Sequence, residues 1–158
     1  MKHSGALLAV SLAGLLPLAF SSKAQSPDRV IAIAGNDPEM IAAMDRARAT
    51  IEPVIQKLEE GSVDTFSIKV KITEGDQVEY FWLNNIDLQD GIFTGTIDNT
   101  PQFVHNVKLG QKVTVKKSEI ADWLYTRNGK MYGNYTLRVL LKKLPADEVA
   151  KYRGILAD

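Results

Sequence analysis

Residues 66–83, FSIKVKITEGDQVEYFWL, decide the fold of this chain. From Phe66 to Ile72 apolar and polar side chains alternate, which predicts a β-strand with one buried and one solvated face. The segment 74–76 has the composition of a turn. Residues 78–83 are apolar on both sides except at Glu79, which predicts a second strand near the centre of a sheet. We therefore expect the sheet to be built around this antiparallel pair.

C-terminal to this pair, two more strands are predicted, over residues 92–98 and 107–115. Ser118 is in position to cap a short helix that ends at residue 124, and Asn128-Gly129 predicts a tight hairpin turn. Asn134 is the expected N-cap of a leucine-rich helix, which Pro145 ends at residue 144. A last helix is predicted over residues 146–156.

On the N-terminal side, Asp37 and Pro38 have the residue types of an N-cap and a first helical position. Apolar residues then recur every three or four positions from Met40 to Ile51, and Pro53 should kink or restart the helix. The sequence predicts an α+β fold: an N-terminal helix, a curved antiparallel sheet of about four strands, and C-terminal helices packed on one face.

The first 24 residues have the three parts of a secretory signal peptide. A basic start at Lys2 precedes an apolar run over residues 5–20, and small residues around Lys23 predict cleavage before Gln25. The run is shorter than the ~20 residues of a bilayer-spanning helix, which disfavours the alternative of an uncleaved anchor. We expect a signal peptide over residues 1–24, a flexible lead-in over 25–36, in which residues 30–33 could pair as a short strand, and a single domain over 37–158. The expected location is periplasmic or secreted, without a stable membrane anchor after cleavage.

Composition excludes several classes of function. The chain has 19 basic and 19 acidic residues, and removal of the predicted leader gives a net charge of about −2, which argues against nucleic-acid binding. It has no cysteine, so disulfides, thiol catalysis and thiolate metal sites are ruled out. Only His105 would remain after leader cleavage, which excludes a multi-histidine zinc site. We expect neither a metal nor a cofactor.

Two carboxylates are candidate catalytic groups. Glu79 on a central strand needs a partner, and Arg138 could provide one in a structural ion pair or in a substrate-binding site. We favour the structural interpretation. Asp122 could join Glu79 in a glycosidase-like pair with Arg138 orienting the substrate, if the spacing of the two carboxylates allows it.

A contact surface is the alternative use of the polar and aromatic residues. Asn99 lies in a turn that proline stabilises, where its amide could bond the backbone or a ligand. Tyrosine and tryptophan give contact area with a polar tip. The predicted contact residues are Trp82, Asn99, Asp122, Tyr125, Tyr132 and Tyr135.

Several segments together resemble a known bacterial family. These are residues 78–83 (VEYFWL), 91–95 (GIFTG), 99–101 (NTP), 110–113 (GQKV), 120–123 (IADW) and 133–140 (GNYTLRVL). They are similar to the YegJ-like family (DUF2314), a domain of unknown function, and the resemblance covers residues 42–156. It implies one α+β domain, often exported, and it brings no established activity, cofactor or catalytic residue.

The leading functional prediction is an exported, non-enzymatic module that binds an unknown envelope protein or peptide, a class that includes inhibitor- and immunity-type proteins. The alternative is a periplasmic hydrolase that acts on cell-wall glycan through Glu79, Asp122 and Arg138. A structural or folding-assist domain is a third class, which would lack a pocket and an exposed aromatic patch.

Overall fold

The computed structural model describes residues 7–11, 30–34 and 36–157. The predicted signal peptide lies outside the described residues except for 7–11, and so does the lead-in except for 30–34 and 36. Cleavage before Gln25 therefore remains a prediction. Among the described helices, none is both long enough and apolar enough to cross a membrane.

Helices α1 (Pro38–Thr50) and α2 (Glu52–Glu59) follow the predicted N-cap. The Asp37 carboxylate accepts hydrogen bonds from the backbone N–H groups of Glu39 and Met40 at 3.0 and 3.1 Å. Pro53 lacks the N–H group that a continuous helix would use, and the chain restarts as α2 after Ile51. The predicted cap and the predicted restart are both confirmed.

All strands described belong to one sheet. They are β1 Leu7–Ser11, β2 Val30–Ala34, β3 Thr65–Glu74, β4 Gln77–Gln89, β5 Ile92–Ile97, β6 Lys112–Lys116, β7 Ile120–Arg127 and β8 Lys130–Gly133. The order is β2-β1-β4-β3-β7-β8, while β5 pairs with the second half of β4 and with β6. Strands β3 to β8 pair antiparallel; β1 runs parallel to β4. The α+β class is confirmed, whereas the prediction of about four strands was too low.

The largest error of the sequence prediction is the short helix ending at residue 124, where the structure has strand β7. A single 3-10 turn, Lys117–Glu119, occupies the start of the predicted helix, and residues 120–127 form a strand between β3 and β8. Its first six residues are all buried, so both faces of the strand are covered. Ile120, Trp123 and Leu124 have a spacing that fits a helix, but burial on both sides suits a central strand.

Two smaller boundaries also differ from prediction. Strand β4 continues through most of the predicted loop at residues 87–91, and the predicted strand over 107–115 is a loop followed by β6. The Asn128-Gly129 turn is confirmed: its residues have φ of 51° and 72° and join β7 to β8 as a two-residue hairpin.

The sheet has two faces, which the strand register defines. On the α2 face, Ile68 pairs with Leu83 and Trp123, and these side chains pack with Val54 of α2. On the opposite face, Lys69 lies between Trp82 and Asp122. Helices α3 (Tyr135–Leu141) and α4 (Ala146–Arg153) follow β8, and Leu137 of α3 packs on Trp82, so we name this the α3 face.

Candidate functional site

Glu79 holds a loop in place. Its side chain is 2% exposed on the α2 face, where Glu79 pairs with Ile72 of β3. The carboxylate accepts hydrogen bonds from the backbone N–H groups of Gln102, Phe103 and Val104 at 2.9 to 3.3 Å. These bonds satisfy a buried charge with main-chain donors, so Glu79 has a structural role.

The predicted ion pair between Glu79 and Arg138 is wrong. Arg138 lies on α3, where its guanidinium donates to the carbonyl oxygen of Gly133 at 3.1 Å and to that of Ala157 at 2.6 Å. The side chain thereby ties the end of β8 to the C-terminal segment. Glu79 and Arg138 therefore each bind nearby main-chain groups and not each other.

Asp122 caps helix α3 from the neighbouring strand. Asn134 occupies the N-cap position, as predicted, with φ of 51°, but its side chain makes no capping bond. Instead, the buried Asp122 carboxylate accepts from the N–H groups of Tyr135 at 3.1 Å and Thr136 at 2.8 Å, and from the Thr136 hydroxyl at 2.5 Å. A carboxylate at a helix N-terminus is favoured by the helix dipole.

Lys69 completes this buried network. Its ammonium donates to the Thr136 hydroxyl at 2.7 Å and lies 4.5 Å from the centre of the Trp82 ring. Burial lowers the pKa of Lys69 to about 8, against the opposing effect of Asp122. Burial also raises the pKa of Asp122, opposed by Lys69 and by the bonds from Thr136. The hydroxyl of Thr136 therefore links two charges that are both shielded from solvent.

The two carboxylates of the hydrolase alternative lie on opposite faces of the sheet. Glu79 points to the α2 face, whereas Asp122 lies beside Lys69 on the α3 face. A glycosidase pair must flank one scissile bond. The structure thus does not bring together Glu79, Asp122 and Arg138, and each has its own main-chain or network partners.

Two of the predicted contact residues are also internal. Trp82 is buried beneath α3, and Asn99 is 1% exposed, with its side-chain oxygen accepting from the Trp82 N–H group at 2.9 Å. The Asn99 side-chain nitrogen has no hydrogen-bond partner among the described residues. The prediction that Trp82, Asn99 and Asp122 belong to a contact surface is wrong, because the sheet and α3 cover them.

The three predicted tyrosines do come together, although Tyr125 is as buried as Trp82 and only Tyr132 and Tyr135 are half-buried. Tyr125 and Tyr132 form a cross-strand pair of β7 and β8, with ring centroids 4.6 Å apart and planes within 9°. Trp123, two residues before Tyr125 on the same face, continues the stack at 6.0 Å. Tyr135 sets its edge against Trp123 at 5.5 Å and 89°. Offset or edge-on contacts of this kind are the favoured aromatic geometries.

These rings form one side of a cavity of about 330 Å³, which we name the aromatic cleft. Its wall comprises Trp123, Tyr125, Tyr132, Tyr135, Arg46 and Arg138, together with Thr50, Pro53, Val54, Gly133 and Ala157. The set contains two arginines and no acidic residue or histidine. A second cavity of about 290 Å³ lies between α1 and α3 and shares Arg46, Tyr135 and Arg138 with the first.

Close packing under the cleft requires glycine at position 133. Gly133 has φ of 76°, and a Cβ atom there would lie 2.4 Å from both the ring and the carbonyl oxygen of Trp123. The glycine therefore lets α3 begin directly beside the stacked rings. Gly133 lies within a recognisable sequence motif, whereas Arg46 and Thr50 could not be predicted as site residues, because nothing in the pattern of α1 distinguishes Arg46 from Arg48.

His105 and the acidic residues form no metal site among the described residues, where no group of three or more His, Cys, Asp or Glu side chains could hold an ion. His105 is exposed, with its Nδ1 atom 3.3 Å from the Glu74 carboxylate.

The profile of a family described as "Uncharacterized protein conserved in bacteria (DUF2314)" matches residues 37–156. The chain belongs to this family. It is also 38% identical over 117 residues to the uncharacterized protein YegJ of Escherichia coli K12, a match that covers 74% of this chain and 76% of that protein. Both matches confirm the resemblance found in the sequence.

A partial match links the chain to a longer protein. Over 76 residues it is 30% identical to a putative ankyrin repeat protein of Neisseria meningitidis serogroup B. The aligned region is 48% of this chain and only 30% of that protein. No solved structure matches the chain.

Proposed function

We propose that this DUF2314 protein is an exported, non-enzymatic module that binds a protein or peptide partner in the cell envelope through the aromatic cleft. One observation carries the proposal: four aromatic rings and two arginines surround a single cavity at the β7–β8 hairpin. Tyrosine, tryptophan and arginine are the residues that dominate binding energy at protein interfaces.

The polar chemistry of the cleft favours binding over catalysis. None of the described residues that line it has a carboxylate or imidazole to act as a general base, and the phenol of Tyr125 has its pKa raised by burial, which keeps it protonated. The cleft instead has hydroxyl and guanidinium groups around apolar rings. Such a mixture of apolar contact area and a few polar groups is typical of recognition sites.

The export part of the proposal is supported by the sequence. The basic start, the apolar run and the small residues before Gln25 are the features of a leader. An inhibitor- or immunity-type protein is one form that an exported peptide-binding module takes.

Selection of peptides from a random displayed library, with the purified protein as bait, tests the proposed site. We expect the selected peptides to bind roughly tenfold more weakly to the Tyr132→Ser variant, since this change removes one ring of the stack. Tyr132→Phe keeps the ring and should bind like the wild type. Phe103→Ser is the matched control, because Phe103 is an exposed aromatic residue outside the cleft.

Circular dichroism spectra will show whether Tyr132→Ser is folded. If Tyr132→Ser and Phe103→Ser weaken the selected peptides equally, or neither weakens them, the cleft is not the binding site.

A further inference from the structure

We infer that the aromatic cleft selects a peptide segment in which an aromatic side chain lies beside acidic ones, and that Arg46 binds the carboxylate. This inference rests on the proposed function and names the partner chemistry of the same site. It follows from the charges around the cleft, the unused donors of Arg46 and the shape of the groove.

Among the described residues, Arg46 has no acidic partner. Its guanidinium lies 5.1 Å from the centre of the Tyr135 ring, and no described residue accepts a hydrogen bond from it. Arg48, two residues later on α1, is different: it pairs with Asp45 at 2.5 Å and donates to the carbonyl oxygen of Ile120. The N–H groups of Arg48 are thus already used within the protein, whereas those of Arg46 are available to a ligand.

Arg138 adds a second, fixed positive charge. Its guanidinium donates hydrogen bonds to the carbonyl oxygens of Gly133 and Ala157. Carbonyl groups are neutral, so they hold the guanidinium in position without cancelling its charge. The described residues of the cleft wall include two arginines and no Asp or Glu, and a carboxylate is the group that forms bidentate bonds with guanidinium.

The groove consists of two adjoining cavities. The second cavity shares Arg46, Tyr135 and Arg138 with the aromatic cleft, and its apolar walls are Ala42, Ala43 and Val139. The acidic residue in its wall, Glu39, is already paired with Lys142 at 3.0 Å. Two adjoining cavities of similar volume fit successive side chains of an extended segment better than one compact metabolite.

The positive charge of Arg46 and Arg138 is confined to the cleft, which favours a short acidic peptide over a long polyanion as the ligand. The whole sequence has equal numbers of basic and acidic residues. Nucleic acid needs an extended basic face along its phosphates. A short segment with one or two carboxylates needs only the two arginines of the cleft.

Fluorescence anisotropy with two labelled heptapeptide probes tests this inference. Both probes have blocked ends and a central tryptophan, which is flanked by two glutamates in one probe and by two glutamines in the other. We expect the acidic probe to bind roughly tenfold more tightly to the wild type at about 50 mM NaCl, and the difference to shrink at about 500 mM because salt screens exposed charges.

Substitution at Arg46 assigns the selectivity to one side chain. Arg46→Gln should remove most of the difference between the probes and leave the affinity for the glutamine probe unchanged. Arg46→Lys should retain part of the difference in affinity, because lysine keeps the positive charge but lacks the planar guanidinium group that binds a carboxylate through two hydrogen bonds. Lys112→Gln, on an exposed position of β6 outside the cleft, makes the same charge change and should have no effect.

Equal affinity of the wild type for both probes overturns the inference, as does an equal loss in Arg46→Gln and Lys112→Gln. If both probes bind equally and Tyr132→Ser weakens both, the proposed peptide site stands and the acidic selectivity falls. Tighter binding of an oligothymidylate than of the acidic probe at the same salt also overturns the choice of a peptide.

Discussion

The ammonium of Lys69 lies inside the protein, between the Trp82 ring and the Thr136 hydroxyl. Only 3% of the residue is exposed. A charge held there costs stability, because desolvation opposes it more strongly than Asp122 favours it. The stem of the lysine crosses the α3 face, and α3 covers its end. A residue placed in this way makes folding stability depend on pH.

We predict that stability rises as the pH is raised from about 7.5 to about 9.5. The pKa of Lys69 is about 8 in the folded protein, whereas an ordinary lysine has a pKa of 10.5. Between these values the unfolded chain binds more protons than the folded one, so the free energy of unfolding increases with pH, by about 2 kcal/mol over this range. Urea unfolding at several pH values measures the rise.

Two variants isolate this effect. Lys69→Met should abolish the rise, since it removes the titrating group and keeps an apolar stem of similar length. Lys71→Met, at an exposed position on the same strand, should leave the rise unchanged. A flat profile in the wild type, or the same slope in Lys69→Met, would contradict the assignment.

Among the secondary structure elements, those predicted correctly have signals within a few neighbouring residues. Asp37 and Pro38 start α1, and Asn128-Gly129 sets the β7–β8 turn, each through local backbone preferences. Strand β7 was missed because its identity depends on pairing with β3, whose partners lie more than fifty residues away in sequence. Local periodicity around Trp123 fits a helix as well as a strand.

The same distinction applies to the candidate site. The tyrosines at 125, 132 and 135 could be selected from the sequence because they flank a recognisable turn. Arg46 could not be selected, since its place in the cleft wall depends on α1 lying beside β7 and α3. Asp122 was expected to act on a ligand, and only the fold shows that it serves as the cap of α3.

At this scale we also predict that Glu79 fixes the loop between β5 and β6. Glu79→Gln should destabilise the protein by about 1–3 kcal/mol, because an amide presents donors to the N–H groups of residues 102–104 and leaves some of them unpaired. Hydrogen exchange should accelerate at those amides and stay slow in β3 and β7.

Glu74→Gln is the matched control for the loop prediction. The Glu74 carboxylate accepts from the N–H group of His105 in the same loop, but its side chain is 40% exposed, so water can replace it. We expect a change within about 0.5 kcal/mol there. Unaltered exchange at residues 102–104 in Glu79→Gln would show that the loop is held by other contacts.

For the whole molecule, the central question is whether the domain depends on the predicted leader. Strand β1 lies within residues 1–24, where it pairs with β2 and with residues 79–80 of β4. The hydrophobic clusters formed by the described side chains all lie between Met40 and Leu156. Cleavage would therefore remove β1, which lies between β2 and β4, and would leave these clusters complete.

We accordingly predict that the exported protein begins at Gln25 and keeps its fold. In a bacterial host that expresses the full chain, the osmotic-shock fraction should contain a species whose intact mass corresponds to residues 25–158. Leu8→Lys should hold the full-length chain in the cytosol, because a charge in the apolar run opposes membrane insertion. The Leu109→Lys variant, changed at an exposed position of the domain, should be exported normally.

Recovery of the intact chain from Met1 in the shock fraction, or of the wild type only in the cytosol, would contradict export by cleavage. Slow exchange of the β3 and β7 amides in the cleaved species would show that the clusters alone hold the sheet together.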